Sequence, residues 1–589
     1  MMSTAPSLEA PNGNPISRFL KLVASYPTSF WIANTMEIFE RMAWYGFFSV
    51  SSLYITASVA EGGLGFTSEQ RGTLQAVIPF ILYLLPVLTG ALGDRFGYKK
   101  TFFVAYTIMV PSYFLLGQVH TYEVFFFTFL MLAVGAATFK PVVTGTIARV
   151  TTEKNSAMGF GIFYMMVNVG AVIGPLIVGK LRGFSWDYMF YASTAAIGVN
   201  FIWLLLFYKE PTTEAASAKK RSMKMVFTDM VEVLGNTRFF LTAFTILVLL
   251  MLGSQGWLTW KTVVYLVPIW LAANLMIDIP LRKMGKKAFL PPMKLGNWRF
   301  ALYLLILSGF WTSFNQIWIT MPEYIRDFVN TQDMLASWWG FFSWMSTINP
   351  DIIVAVIKDH IPQAGAILSQ TDFSGTVSEL YHALLAARIR IDEAQLGTIL
   401  IQHGINSGAT LTSGQFTLLA NELISIGRQV NPEYLIKFDA TAIVLCQIIV
   451  SYIIARWNPF NAMVGGVVVA SIGIGVTAWL HNGWPVVFAI IIFAFGEMMA
   501  SPKSQEYIGR IAPMDKKALY MGYYFWAVAL GNLFGGILSG QLYGSLARDL
   551  QRPDIMWIIF AILGFFTAFI LVLYDRLIIR KMKKGKEMV

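Results

Sequence analysis

"NTMEIFERMAWYG", residues 34–46, puts Glu37, Glu40 and Arg41 into the middle of a segment that otherwise reads as a membrane-spanning helix. Their i, i+3, i+4 spacing projects all three from one helical stripe. Counted from Phe30, Glu37 lies ~10 Å and Arg41 ~16 Å into the helix. Each such charge costs ~2.5–3.5 kcal/mol at the bilayer centre on insertion scales, so the stripe must face protein or water. A static ion pair that fixes packing is one reading. Two acids against one base leave a carboxylate in need of another partner or a proton, which favours a functional reading.

The rest of the chain supports a membrane setting. Of its 589 residues, 56% are hydrophobic, 15% aromatic and only 13% charged. Apolar runs of the length a ~30 Å hydrocarbon core demands recur about fourteen times. They lie near 30–57, 72–93, 101–118, 122–147, 156–180, 187–208, 239–256, 262–281, 299–325, 433–455, 460–481, 484–503, 518–545 and 554–577. Such continuous runs do not suit the short alternating strands of a membrane barrel. The expected fold is an all-α polytopic membrane protein.

Lys and Arg concentrate in one set of loops: 94–100, 209–224, 282–294, 512–517 and 576–586. By the positive-inside rule these loops and both termini are cytoplasmic, and the membrane is the inner (plasma) membrane. The net charge of +11 then faces anionic lipid, with no need of nucleic acid. Segment 1–29 reads as a cytoplasmic N-terminal segment without a removable signal peptide. A six-helix bundle follows over 30–208, then a cytoplasmic loop and two extra spans over 209–298. Segments 299–325 and 433–577 make a second six-helix bundle, and 578–589 is a basic cytoplasmic tail. Two six-span halves are the arrangement of transporters that bind substrate between the halves near the midplane.

Segment 326–432 interrupts the second half and by parity lies outside the cytoplasm. It carries amphipathic helical text, with Thr376 and Glu379 spaced as a capping box. Its apolar patch 336–357 reads as interfacial or re-entrant, because a full crossing would put Lys516, Lys517 and the basic tail outside. What partner the insert contacts is left open.

Covalent chemistry finds no support. Cys446 is the single cysteine, so no intrachain disulfide or cysteine metal motif can form. The five histidines, His120, His360, His382, His403 and His481, lack metal-ligand spacing, and there is no P-loop. No enzyme activity, cofactor or metal is expected.

Further ionisable residues sit within apolar runs. Lys140, in "GAATFKPVVTG", can snorkel toward the cytoplasmic interface. Glu497, in "IIFAFGEMMASPK", is a lone carboxylate that requires a proton or a partner. Asp439 pairs with Lys437, acts as a helix-terminal charge, or serves function. The loop "GALGDRFGYKK", 90–100, resembles the cytoplasmic loop signature of the major facilitator superfamily. Gly90 and Gly97 permit tight packing and turning. Asp94 can bond to a helix terminus or to arginine partners, and Arg95 completes the gating-loop set.

Several motifs together resemble the proton-coupled oligopeptide transporter family. "EIFERMAWYG" is similar to its first-helix motif, "FKP" (139–141) to its fourth and "FYMMVNVGAVIGPLI" (163–177) to its fifth. "GEMMASPKSQEYIGRIAP" (496–513) and "FWAVALGNLFGG" (525–536) are similar to its tenth and eleventh. The extra helix pair is also typical of bacterial members. The resemblance covers most of the chain outside the ends and 326–432. It implies the major facilitator fold and proton-driven symport of di- or tripeptides, or of peptide-like solutes, by alternating access.

By the same resemblance, Glu37, Glu40 and Arg41 join proton coupling to recognition of a peptide carboxylate. Lys140 is a second cation, Asn168 bonds a peptide carbonyl, and Glu497 holds the amino terminus. Tyr45 and Trp526 line the pocket. Three positions depart from the family pattern. Asn315 stands where the seventh helix usually has an acid, Val142 follows "FKP" in place of Asn, and Trp44 replaces a Tyr. Asn315 cannot exchange a proton, which makes Asp439 the candidate substitute. A symporter of another small organic anion, and a non-transporting sensor or scaffold acting through 326–432, remain alternatives.

Overall fold

The computed structural model describes residues 25–151, 156–211, 236–254, 256–284, 291–293, 297–361, 370–405, 411–454, 457–511 and 517–579. Most of segment 1–29, much of the loops within 209–298, Lys516 and nearly all of the basic tail lie outside the described residues. Among those described there is no sheet, only two isolated bridges, Asn330 to Asn482 and Ile389 to Arg428.

Helices occupy every apolar run. The first half holds α1 (Thr28–Thr56), α2 (Ser68–Leu84), α3 (Pro86–Phe96), α4 (Tyr98–Leu116), α5 (Tyr122–Val150), α6 (Ser156–Leu181) and α7 (Asp187–Ile202). The run read as one span over 72–93 is divided at Leu85, where Pro86 lacks the N–H needed to continue α2. The extra pair is α8 (Thr237–Ser254) and α9 (Trp260–Met284). Arg238 ties the two together, with Nη1 2.8 Å from Asp278 Oδ1 and Nη2 donating to the carbonyl of Asn274.

The second half opens with α10 (Trp298–Phe314), α11 (Gln316–Ile319) and α12 (Met321–Phe328). The expected continuous span 299–325 is thus broken at Asn315 and at Thr320. Through the insert run α13 (Gln332–Ala336), α14 (Pro350–His360), α15 (Gln370–Ala386), α16 (Glu393–Gln402) and α17 (Ser413–Gly427). The half resumes with α18 (Pro432–Ile454), α19 (Pro459–Val476), α20 (Gly483–Ile511), α21 (Lys517–Leu542) and α22 (Pro553–Tyr574). Among the described residues, eight helical segments are long and apolar enough by themselves to cross a membrane. The charged α1 is not among them; it is held by burial against its neighbours instead.

Each half has its own core. Phe47, Tyr54, Phe125, Phe129 and Phe190 interlock in the first, and Tyr303, Phe314, Tyr324, Phe493 and Trp557 in the second. The halves meet closely where α2 packs along α21. A Cβ on Gly72 would lie 2.6 Å from the Gly536 carbonyl oxygen, and one on Gly536 2.5 Å from Ala76 N. Glycine is required there for the backbones to touch.

The insert forms a third core from Ile353, Ile357, Leu380, Leu384, Leu396, Leu400, Leu419 and Leu423. Its two ends are pinned side by side: Thr331 N donates to Gln429 Oε1 at 2.7 Å, and Val430 N to Thr331 Oγ1 at 2.7 Å. Asn349 Nδ2 reaches across to the first half, donating to the Phe184 carbonyl at 3.3 Å. Patch 336–357 does not run straight. Residues Gln332–Met345 and Pro350–His360 are bent by 101°, with Trp338 and Trp339 both at φ 54°. Thr376 is not a cap, since α15 already begins at Gln370 and the Thr376 hydroxyl donates to the Asp372 carbonyl inside the helix. Capping boxes occur at Thr67–Gln70 and Thr412–Gln415 instead.

Candidate functional site

Glu37 and Glu40 on α1 are fully buried, and Arg41 is 7% exposed. Arg41 pairs with Glu40, and its Nε lies 3.4 Å from Glu37 Oε1. Lys140 on α5 places Nζ 2.6 Å from the same Glu37 oxygen. Lys140 therefore turns inward to the cluster and does not snorkel to an interface, because a buried carboxylate attracts the ammonium more strongly than distant headgroups can. The excess acid seen in α1 is balanced across helices, two carboxylates against two cations. Arg41 also sits over the ring of Tyr45, 5.6 Å from its centroid.

The fifth-helix motif acquires a physical reason. Asn168 is partly exposed on α6, and Gly170 two residues on lets α6 lie against α1. A Cβ there would come within 2.6 Å of Arg41 Cβ and of the Ile38 carbonyl oxygen. In the tenth-helix motif, Gly496 does the same for α20 against α19, 2.3 Å from Ala470 N, and fixes the direction of the next residue, Glu497.

The second half contributes polar groups that the protein leaves open. Both Asp439 carboxylate oxygens are buried without a hydrogen-bond partner, as are Glu497 Oε2 and Asn315 Nδ2. Asp439 and Glu497 lie near enough to interact electrostatically. Asp439 also interacts electrostatically with Lys437, but the two make no hydrogen bond. Asn315 caps the C-terminus of α10, where the helix breaks, and its backbone N donates to Trp311 O at 3.0 Å. Gln316 beside it bonds the Gly535 carbonyl of α21 at 3.2 Å. Trp526, partly exposed, meets Tyr523 edge-on at 6.0 Å.

The gating loop is ordered by a residue outside its motif. Gly97 adopts φ +97° between α3 and α4, a conformation suited to glycine. The Glu210 carboxylate accepts from Tyr98 N at 2.7 Å and so caps α4. Gly90 packs on Pro141 of "FKP", 3.1 Å from the Pro141 Cβ to a Cβ built on it, and Arg95 is exposed over Phe96. The Asp94 side chain lies outside the described residues.

At the insert end, three ties join the halves, none anticipated from the sequence. Arg71 and Glu323, both fully buried, stand 2.7 Å apart. Arg182 donates to Glu433 through Nε at 2.6 Å and Nη2 at 3.0 Å. Arg326 pairs with Asp327 and reaches Thr56 of α1 at 2.9 Å, while the Tyr543 hydroxyl donates to Asp327 at 2.7 Å. The available signal was a charge at the edge of each apolar run, and nothing local says which such charges meet.

The geometry is that of two helical halves tied together at the insert end. The family model of the Major Facilitator Superfamily matches residues 35–368 and 438–587. The chain belongs to that superfamily. It is 28% identical over 166 residues to YclF, an uncharacterised transporter of Bacillus subtilis (strain 168), covering 28% of this chain and 34% of that protein. It is 25% identical over 227 residues to a di-/tripeptide transporter of Lactococcus lactis subsp. lactis (strain IL1403), covering 36% of this chain and 44% of the relative. The matched segments thus span less than half the length of these curated relatives. The fold is like that of a POT family transporter solved with a thioalcohol-conjugated peptide, with TM-score 0.57, 15% identity, and 94% and 99% of the two chains covered.

Proposed function

We propose that the protein is a proton-coupled symporter of small peptides or peptide-like solutes, working by alternating access in the inner membrane with both termini cytoplasmic. The observation that carries this reading is the balanced first-half cluster of Glu37, Glu40, Arg41 and Lys140, set opposite a second half with open carboxylates on Asp439 and Glu497. A peptide zwitterion offers an anion to one side and an ammonium to the other. Carboxylate binding at Arg41 or Lys140 competes with Glu37 and Glu40 for their cations, and a freed carboxylate takes up a proton more readily. Substrate binding and protonation are thereby linked. The ties Arg71–Glu323, Arg182–Glu433 and Arg326–Thr56 hold the halves together at the insert end, the end read as extracytoplasmic.

Uptake by purified protein in proteoliposomes tests the reading. Di- and tripeptides should drive acidification of the lumen, and no acidification with any short peptide would overturn it. Asn315 keeps symport of another small organic anion as the second reading, because an amide replaces the seventh-helix acid.

A further inference from the structure

Lys437 belongs to none of the motifs, yet its surroundings set it apart. It lies on α18, 6% exposed, and its Nζ has no hydrogen-bond partner. Two aromatic faces hold it, Trp318 of the second half at 4.8 Å and Tyr45 of the first at 5.6 Å. Arg41 lies over that same Tyr45 ring. Cations from opposite halves thus share one tyrosine at the midline.

Asp439 and Glu433 act on Lys437 electrostatically, but neither makes a contact pair with it. Glu433, one turn earlier on α18, is occupied by the bidentate contact with Arg182. Asp439 makes no ion pair with it among the described residues, and two residues along a helix point to different faces. In the first half, Arg41 and Lys140 already hold Glu37 and Glu40. Lys437 keeps its donors unused, and Asp439 and Glu497 keep oxygens open. A buried ammonium without a hydrogen bond is disfavoured, and so are buried carboxylate oxygens without one. An occupant that bears both an anion and a cation satisfies all of them.

We infer that Lys437 receives the carboxylate of the transported solute from the second half, across the Tyr45 ring that it shares with Arg41. This deepens the proposed function and rests on it. It makes a free carboxylate a requirement set by Lys437 as well as by Arg41 and Lys140, and it gives that carboxylate a contact from each half. Carboxylate bound there also lies against Tyr45, which brings the substrate to the first-half cluster.

The test compares wild type, Lys437→Gln, Lys437→Arg and Lys437→Met. Thermal stabilisation is measured with a dipeptide, its C-terminal amide and a simple monocarboxylate. Wild type should bind the free acid at least tenfold more tightly than the amide. Lys437→Gln should abolish that preference with amide affinity unchanged, and Lys437→Arg should restore it. Lys437→Met, which removes an unpaired buried charge, should melt no lower than wild type without ligand; a lysine kept for structure would melt lower. If Lys437→Gln retains the preference for the free acid, or if no carboxylate ligand stabilises wild type, the inference is overturned. If the monocarboxylate binds through Lys437 but neither peptide form binds, the inference stands and the peptide reading falls.

Discussion

Lys140 Nζ lies 2.6 Å from Glu37 Oε1, an oxygen that Arg41 also approaches at 3.4 Å. One carboxylate on α1 therefore couples the first-helix charges to the "FKP" motif of α5. Its removal leaves two cations facing Glu40 alone.

Glu37→Gln and Glu40→Gln should each lower proton-driven peptide uptake at least tenfold while leaving peptide counterflow, which needs no net proton movement, within about threefold of wild type. Proteoliposome acidification alongside radiolabelled counterflow separates the two. Unchanged acidification in both variants would remove the cluster from coupling.

Asp439→Asn probes the substitute for the acid missing at Asn315. If Asp439 carries a coupled proton, the variant should retain counterflow and lose substrate-driven acidification, as the α1 variants do. A variant that acidifies normally returns Asp439 to a helix-packing role.

The buried pair Arg71–Glu323 gives a stability prediction. Arg71→Met strands Glu323 and should cost about 3–5 kcal/mol, the usual penalty for breaking a buried ion pair from one side. The double variant Arg71→Met/Glu323→Met should recover most of that loss. Melting curves of the purified proteins read both, and additive losses would show that the two groups do not act as a pair.

Gly72→Val places side-chain atoms where α21 backbone now lies, since even a Cβ would come within 2.6 Å of the Gly536 oxygen. The variant should hold the halves apart at the insert end. Cys446 is the single cysteine, so a Cys446→Ser background permits labelling of a cysteine introduced at Thr320. Labelling from the insert side should rise in Gly72→Val, and unchanged labelling would contradict a seal built by α2 and α21.

The insert enters and leaves at Thr331 and Gln429, which bond each other directly, and it has a core of its own. Replacing 332–428 with a short flexible linker should therefore leave a folded protein that still moves peptide. Loss of transport with folding intact would favour the scaffold reading of the insert.

The sequence by itself determined the elements. Lengths of apolar runs locate the helices because a bilayer core admits little else, and the motif residues Glu37, Glu40, Arg41 and Glu497 stand out because charge in an apolar run is costly. Glu210 shows where that reading stops, since its acceptance of the Tyr98 N–H reaches across four spans' worth of chain and has no local signature. The breaks at Asn315 and Thr320 were equally hidden from that reading, because neither residue carries a charge. Only the tertiary structure decided that Lys140 turns to Glu37, that Arg71 finds Glu323, and that Lys437 shares Tyr45 with Arg41. The reason is physical: burial of a charge follows from local composition, but its partner is chosen by which helices pack, and that choice is made by shape and glycine contacts far away in the chain.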